Sequence, residues 1–230
     1  MIFCSRDEVR RMLAGKKVAI VGSGPGVMGN ESGFIDSHEV VVRVNNFKLF
    51  EATGWRCDIF YSFFGTSIKK SPEELLAAGV KLCMAKCPDA RFIESEWHVK
   101  HGKEVGIDFR HIYRRRADWW FCPVYVPTVA EFMESFDLLG QHIPTTGFSA
   151  ILDVLACEPR AVYLTGFDFF ASGVHNIDEK WRPGDPTDPI GHVPERERDW
   201  LFANINNHPI TMDRALNEAL ERASHAVLDR

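Results

Sequence analysis

The chain has 230 residues, of which 45% are hydrophobic and 26% are charged, and its formal net charge is -5. These values are ordinary for a globular protein and provide no overall positive charge to attract nucleic acid. No apolar run approaches the roughly 20 residues that a membrane span requires, and the first eight residues turn charged too early for a signal peptide.

Short strands and capped helices alternate along the first half of the chain. Ser5 and Glu8 form a capping box that predicts a helix ending at Gly15. A second helix is predicted to begin at Ser71, with a proline in its first turn, and to end at Gly79. Apolar runs that precede loop residues predict parallel strands at 17–21, 40–44, 58–62 and 80–84.

The same alternation continues in the second half, after residues 88–121, where the pattern is weak. Thr128 and Glu131 form a capping box that predicts a helix closed by Gly140. The other predicted elements of this half are strands at 124–126 and 161–165, a helix after Pro144, and helices near 194–206 and 213–227.

The order of these elements predicts an α/β fold, with a mostly parallel sheet flanked by helices. We expect a single Rossmann-like domain over residues 1–230. Residues 171–191 are rich in Gly, Pro, Asp and Asn, and they are expected to form a long lid-like loop.

Several loops should meet at one edge of this sheet, because ligands of such folds bind beyond the carboxyl ends of parallel strands. The loops beginning at Gly22, Asn45, Ser62 and Gly166 all follow predicted strands. We therefore expect a ligand site where these loops converge.

Pro144-Thr145-Thr146-Gly147 is a loop that opens directly into an apolar helix. Thr145 or Thr146 can cap the first turn, whose N–H groups and dipole favour an anion such as a phosphate or a carboxylate. An ordinary capped core helix would explain the same pattern.

Gly22 and Gly24 after the first strand also suggest a dinucleotide site, but the signal is weak. The position of the third glycine is Val27, and the second strand ends in Asn45-Asn46 where an NAD site has an acidic residue. A tight turn explains the glycines equally well. An NAD(P)-dependent oxidoreductase remains an alternative, whereas a P-loop is excluded because no Gly-Lys-Ser/Thr follows.

Three segments, in the same order, resemble the sialyl motifs of CMP-sialic acid-dependent sialyltransferases. Residues 17–24 with 35–45 resemble the large sialyl motif, and residues 144–147 with 162–168 resemble the small one. Residues 192–197 match the short H-x-x-x-x-E motif. The chain is thus similar to glycosyltransferase family 29 and, more distantly, to the bacterial sialyltransferases of family 42.

The resemblance implies roles for individual residues. His192 corresponds to the general base, Asn45 to the asparagine that contacts the CMP-sugar, and Ser23 to a residue beside the donor phosphate. The other candidate donor-binding residues, from this resemblance or from their place after a strand, are Gly22, Gly24, Ser62, Thr145, Thr146, Gly147, Gly166 and Asp168.

The chain departs from these families at the leaving phosphate. The bacterial enzymes place tyrosines there, but Phe170 stands at the corresponding position and cannot donate a hydrogen bond. His175 can donate one, so we include it as a candidate catalytic residue. No cysteine pair matches the disulfide that joins the two main motifs in the animal enzymes.

The implied activity is the transfer of an acidic 2-keto sugar, sialic acid or Kdo, from its CMP donor to a glycan or glycolipid hydroxyl. A histidine with a pKa near neutrality suits the base, and fixed N–H and hydroxyl groups suit the leaving phosphate. We expect inversion and no metal or other cofactor, since CMP carries one phosphate and the chain has no Asp-x-Asp. A non-catalytic nucleotide-binding protein of the same fold is a further alternative.

Two other clusters compete with this interpretation. Cys83, Cys87, His98 and His101 could suggest zinc, but their spacing departs from common fingers, and two core thiols with two surface histidines explain it better. Residues 114–120, with three arginines and two tryptophans, suggest a solvated turn or contact with an anionic membrane surface. We expect a cytoplasmic protein with reduced cysteines. Peripheral contact with the inner membrane face is an alternative, and no nucleic-acid partner is expected.

Overall fold

The computed structural model describes residues 3–65, 67–90, 109–110, 121–175, 179–180 and 191–228. The strands are β1 (Lys17–Val21), β2 (Val40–Val44), β3 (Ile59–Ser62), β4 (Leu82–Ala85), β5 (Val124–Tyr125), β6 (Ala161–Thr165), β7 (Val174–His175), β8 (Glu179–Lys180) and β9 (Ile210–Met212). The helices are α1 (Arg6–Leu13), α2 (Pro72–Ala77), α3 (Val129–Leu138), α4 (Thr146–Leu155), α5 (Pro194–Asn204) and α6 (Arg214–Leu228).

A seven-stranded sheet, in the order β5-β4-β3-β2-β1-β6-β9, forms the centre of the molecule. Every strand in it pairs in parallel with its neighbours. The predicted α/β class with a mostly parallel sheet is therefore confirmed. The strand order reverses between β1 and β6, and such a switch point opens a crevice at the carboxyl ends of the two strands.

The sheet is buried on both faces, as its continuous apolar strands require. All five residues of β2 are buried, including the charged Arg43. On one face, Val9 of α1 and Ile151 of α4 belong to the same hydrophobic cluster as Val18 and Ile20 of β1. This packing fixes the first turn of α4 relative to the ends of the strands.

The two predicted capping boxes are confirmed, and the helix predicted to begin at Ser71 has a third. Ser5, Ser71 and Thr128 each accept a hydrogen bond from the backbone of a glutamate three residues later, and each glutamate bonds back to its cap. These caps begin α1, α2 and α3, which cover the sheet.

The structure corrects the sequence expectation in its strand boundaries. β4 begins at Leu82 instead of at residue 80, and β3 begins at Ile59 instead of at residue 58. Asp58 lies just before β3, where its buried carboxylate accepts a hydrogen bond from Val41 N at 2.9 Å and pairs with Lys81.

Two features were not predicted. β9 has only three residues, too few to show a periodic pattern, yet it extends the sheet beyond β6. β7 and β8 pair as a short antiparallel ribbon within residues 171–191, the expected lid loop. Residues 176–178 and 181–190 of that expected loop lie outside the described residues. No helix in the described part of the chain has both the length and the apolar character needed to cross a bilayer.

The loops that follow β1 and β6 pack directly against each other. Gly24 N donates a hydrogen bond to Gly166 O at 2.8 Å. A Cβ atom placed on Gly22 would lie 2.3 Å from Gly166 O, so only glycine allows this approach. Gly166 itself has a φ of 74°, in the left-handed region that favours glycine.

Gly22→Ala should therefore lower the free energy of unfolding by about 1–3 kcal/mol or more, because its methyl group overlaps a backbone carbonyl that cannot move easily. Gly29→Ala is the matched control, since an added Cβ there meets nothing within 4 Å. Urea unfolding of both variants measures the difference. Equal stabilities would contradict the close contact between the two loops.

Candidate functional site

A cavity of about 530 Å³ lies at the switch point, among the loops that follow the strands. Its volume lies within the range of small-molecule sites. Of the predicted site residues, the cavity is lined by Gly22, Ser23, Gly24, Asn45, Thr145, Thr146, Gly147, Gly166, Asp168 and His192. It is also lined by residues that were not predicted as site residues, namely Val44, Phe63, Lys86, Phe148, Phe167, Phe169, Phe170 and Glu197.

The first turn of α4 forms one wall of this cavity. Thr145 is its N-cap residue, and its hydroxyl accepts a hydrogen bond from Phe148 N at 3.2 Å. Thr146 and Gly147 are the first residues of the helix, where N–H groups have no partner within the helix. With the dipole of a ten-residue helix behind them, these groups favour an anion.

Glu197 holds this loop in place. Its carboxylate accepts hydrogen bonds from Thr145 N at 2.5 Å and from Thr145 Oγ1 at 2.7 Å. Glu197 is the last residue of the H-x-x-x-x-E segment and lies on α5, so it joins two segments that are distant in sequence. The motif had pointed to His192, and the role of its glutamate could not be read from spacing alone.

Burial dominates the electrostatics of Glu197, which is 1% exposed. Burial raises the pKa of its carboxyl to about 7, although the hydrogen bonds from Thr145 and the positive charge of Lys86 act to lower this pKa. Burial likewise lowers the pKa of Lys86, which is 6% exposed. The two buried groups attract each other beside the first turn of α4, although no hydrogen bond or ion pair joins their side chains.

His192 lies at the mouth of the cavity with one ring nitrogen anchored. Its Nδ1 is 2.6 Å from Ile143 O. A carbonyl oxygen can only accept, so Nδ1 carries the proton and Nε2 is the basic nitrogen of the neutral ring. Val193 is the N-cap residue of α5, and its side chain makes no capping hydrogen bond.

Asn45 extends into the cavity from a left-handed backbone position, with a φ of 47°. Its Oδ1 accepts a hydrogen bond from Ser62 Oγ at 3.2 Å. Ser62 is fully buried, and its hydroxyl also accepts from Phe64 N at 3.0 Å. The expectation that Ser62 faces the ligand is thereby corrected, because Ser62 orients the amide of Asn45 from below.

Two aspartates shape the turn after β6. Asp168 accepts hydrogen bonds from Phe170 N at 3.0 Å and from Ser172 N at 3.1 Å. Asp213 accepts from Gly166 N at 2.8 Å and caps α6 through Leu216 N, also at 2.8 Å. Sequence reasoning missed Asp213, which is the first residue of the helix predicted near 213–227.

The other candidate residues are placed as follows. His175 lies in β7, and its role at a leaving phosphate stays a prediction. Cys83 Sγ is 3.4 Å from Cys122 Sγ, and Cys87 is buried, as expected for core thiols.

His98, His101 and residues 114–120 lie outside the described residues. No group of three or more potential metal ligands occurs among the described residues.

The loop after β1 does not have the form of a dinucleotide site. In such sites the glycine loop leads into an α-helix whose N-terminus binds the pyrophosphate. Residues 22–39 are described throughout, and after Gly24 the chain forms a five-residue 3-10 helix, Pro25–Gly29. The helix N-terminus at this cavity belongs to α4 instead, which disfavours the NAD(P)-dependent alternative.

The fold is similar to that of solved sialyltransferases, whereas no protein-family model and no curated protein sequence matches the chain. A mammalian sialyltransferase in complex with Gal-beta-1-3GalNAc-ortho-nitrophenol has a TM-score of 0.56 and 17% identity, covering 88% of this chain and 71% of that chain. CstII from Campylobacter jejuni in complex with CMP-3FNeuAc has a TM-score of 0.55 and 17% identity, covering 86% and 81%. The monofunctional alpha-2,3-sialyltransferase Cst-I from Campylobacter jejuni has a TM-score of 0.51 and 15% identity, covering 92% and 78%. These neighbours are of the class that the sequence motifs resemble, and at such low identity the similarity establishes the fold.

The raised pKa of Glu197 predicts a pH effect on stability. Because the folded protein holds this proton more tightly than the unfolded chain, Glu197 makes the free energy of unfolding fall as the pH rises from its ordinary pKa of 4.5 to about 7. Glu197→Gln stays neutral and removes this contribution, which is at most about 1.4 kcal/mol per pH unit.

Urea unfolding at steps between pH 4.5 and pH 7.5 measures the slope. Glu134→Gln, which changes an exposed glutamate on α3, serves as the control and should keep the wild-type slope. The same slope in all three proteins would show that Glu197 does not hold its proton in this way.

Proposed function

We propose that this chain is a CMP-sugar-dependent glycosyltransferase of the sialyltransferase type. It would transfer an acidic 2-keto sugar, sialic acid or Kdo, from its CMP donor to a hydroxyl of a glycan or glycolipid. One observation carries the proposal: the loops of three distant motifs line the same cavity, and an anchored histidine lies among them.

The walls of the cavity match the parts of such a donor. The nucleotide lies over the crossed loops after β1 and β6, where Gly22, Ser23 and Gly166 expose backbone groups. The first turn of α4 attracts the negative charge of the donor. Asn45, oriented by Ser62, supplies an amide near the phosphate end. The neighbours solved with CMP-3FNeuAc and with a Gal-beta-1-3GalNAc acceptor support a donor and an acceptor of these classes.

His192 acts as the general base in this proposal. The acceptor oxygen attacks the anomeric carbon on the face opposite the phosphate, and Nε2 of His192 takes the hydroxyl proton as the new bond forms. The carbon–oxygen bond to CMP breaks, and CMP leaves with its negative charge near the helix N-terminus. The product has inverted configuration. Since the leaving group carries a single phosphate, this mechanism uses no metal ion to neutralise a diphosphate.

A thermal-shift screen with CMP, CDP, UDP and NAD tests the nucleotide class. A ligand that binds only the folded protein stabilises it by about 2.7 kcal/mol at one hundred times its Kd. We expect CMP to raise Tm clearly and NAD to leave it unchanged. A shift with NAD and none with CMP would contradict the proposal and favour an oxidoreductase.

His192→Ala should lower the rate of sugar transfer by about 10²–10⁴-fold while CMP affinity is retained. The matched control is His208→Ala, because His208 stacks on Trp200 and is not among the residues lining the cavity. CMP release from CMP-sialic acid and CMP-Kdo, measured with a panel of glycan acceptors, reports the rate. Near wild-type transfer by His192→Ala would exclude the proposed base. CMP binding by the wild-type protein without release from either donor would favour a non-catalytic binding protein.

A further inference from the structure

Lys86 is a buried lysine that the mechanism above leaves unused. It follows β4 directly, is 6% exposed and lines the cavity of about 530 Å³. Its Nζ forms no hydrogen bond and no ion pair with any residue that the structure describes. Sequence reasoning had no reason to select it, because a single lysine after a strand matches no motif.

An ammonium group in this position is unfavourable without a partner. Burying a charge is costly unless it is paired, and burial lowers the pKa of Lys86 accordingly. The carboxylate of Glu197 attracts it, but both oxygens of Glu197 already accept hydrogen bonds from Thr145. The geometry therefore leaves room for an anionic group that arrives with a ligand.

The position of β4 in the sheet indicates which part of the ligand this is. β4 is separated from β1 by β3 and β2, and neighbouring strands lie about 4.8 Å apart, so the ends of β4 and β1 are about 14 Å apart. In the proposed function the nucleoside lies at the β1 and β6 loops. Lys86 is at the opposite end of the cavity, near the α4 cap and Glu197, where the transferred sugar belongs.

We propose that Lys86 binds the carboxylate of the transferred sugar and thereby restricts the donor to acidic sugars. This inference rests on the proposed function. Sialic acid and Kdo both carry a carboxylate on the anomeric carbon, so a cation at this place would bind either donor. A neutral sugar would bind more weakly, because the buried ammonium group of Lys86 would stay unpaired.

Lys86 also lines a second cavity, of about 260 Å³, where the carboxylates of Asp153 and Glu131 are already paired and the third, Glu134, belongs to an exposed residue. Asp153 accepts hydrogen bonds from Arg6 at 2.8 Å and from Tyr61 at 2.6 Å. Glu131 accepts from Arg6 and from Tyr125. No carboxylate of that cavity is bonded to Lys86, which leaves the larger cavity as the place where it meets a partner.

Lys86→Met, which removes the charge and keeps the shape, tests this assignment. We expect the CMP affinity of Lys86→Met to stay within about twofold of the wild type. Its affinity for the intact CMP-sugar and its kcat/KM should fall by about 10–100-fold, because the variant loses a charged hydrogen bond to the sugar. Lys86→Arg should recover part of the loss. Lys16→Met, which replaces a half-exposed lysine paired with Glu39, is the matched charge control and should bind both ligands normally.

The donor itself provides a second test through its carboxylate methyl ester. The ester should bind the wild-type protein at least about tenfold more weakly than the acid, and Lys86→Met should no longer distinguish the two. If Lys86→Met fails to fold, Lys86→Gln takes its place. If neither variant folds, the ester comparison on the wild type decides.

Three results would overturn the inference. Lys86→Met could lose CMP affinity and donor affinity equally, which would place Lys86 at the phosphate, or it could bind both CMP and the donor as the wild type does. The third result is that the wild type binds the acid and the ester equally well. A wild-type protein that binds neither CMP nor a CMP-sugar would instead refute the proposed function. The two failures are therefore distinguishable.

Discussion

A buried carboxylate determines the geometry of the cavity. Glu197 accepts two hydrogen bonds from Thr145 and thereby joins the start of α5 to the loop that opens α4. Because His192 precedes α5 and bonds to Ile143 in the same loop, the imidazole and the helix N-terminus keep a fixed relation. Glu197 thus adds a second link, beside the bond of His192 to Ile143, between the segment that begins α5 and the loop that opens α4.

The second constraint is the contact between the loops after β1 and β6. Adjacent parallel strands bring their carboxyl ends together, but the loops meet only because Gly22 and Gly166 lack side chains. The backbone of both loops then remains available at the cavity wall. These glycines serve the packing of one loop on another, which explains why the spacing of a dinucleotide motif is not required here.

Local signals in the sequence were sufficient for most of the fold. Capping boxes and apolar runs predicted α1 to α3 and the inner strands because these depend on neighbours in the chain. β9 could not be predicted, since three residues become a strand only by pairing with β6. Likewise, the motifs indicated Thr145 and His192, which line the cavity, whereas the packing of distant segments, which spacing does not reveal, brings Lys86 to the cavity and Asp213 to the Gly166 turn. The buried position of Ser62 also depends on the packing of β3 beneath Asn45.

Asp213 links the helix α6 to the Gly166 turn at the wall of the cavity. One carboxylate oxygen caps α6 and the other holds Gly166 and Thr165. A molecule that orders the Gly166 turn is therefore expected to stabilise the start of α6, and by reciprocity a change that loosens the start of α6 is expected to weaken binding of that molecule. Amide exchange along this terminal helix would then act as a remote reporter of occupancy, and a fusion partner attached there would perturb the crevice from a distance.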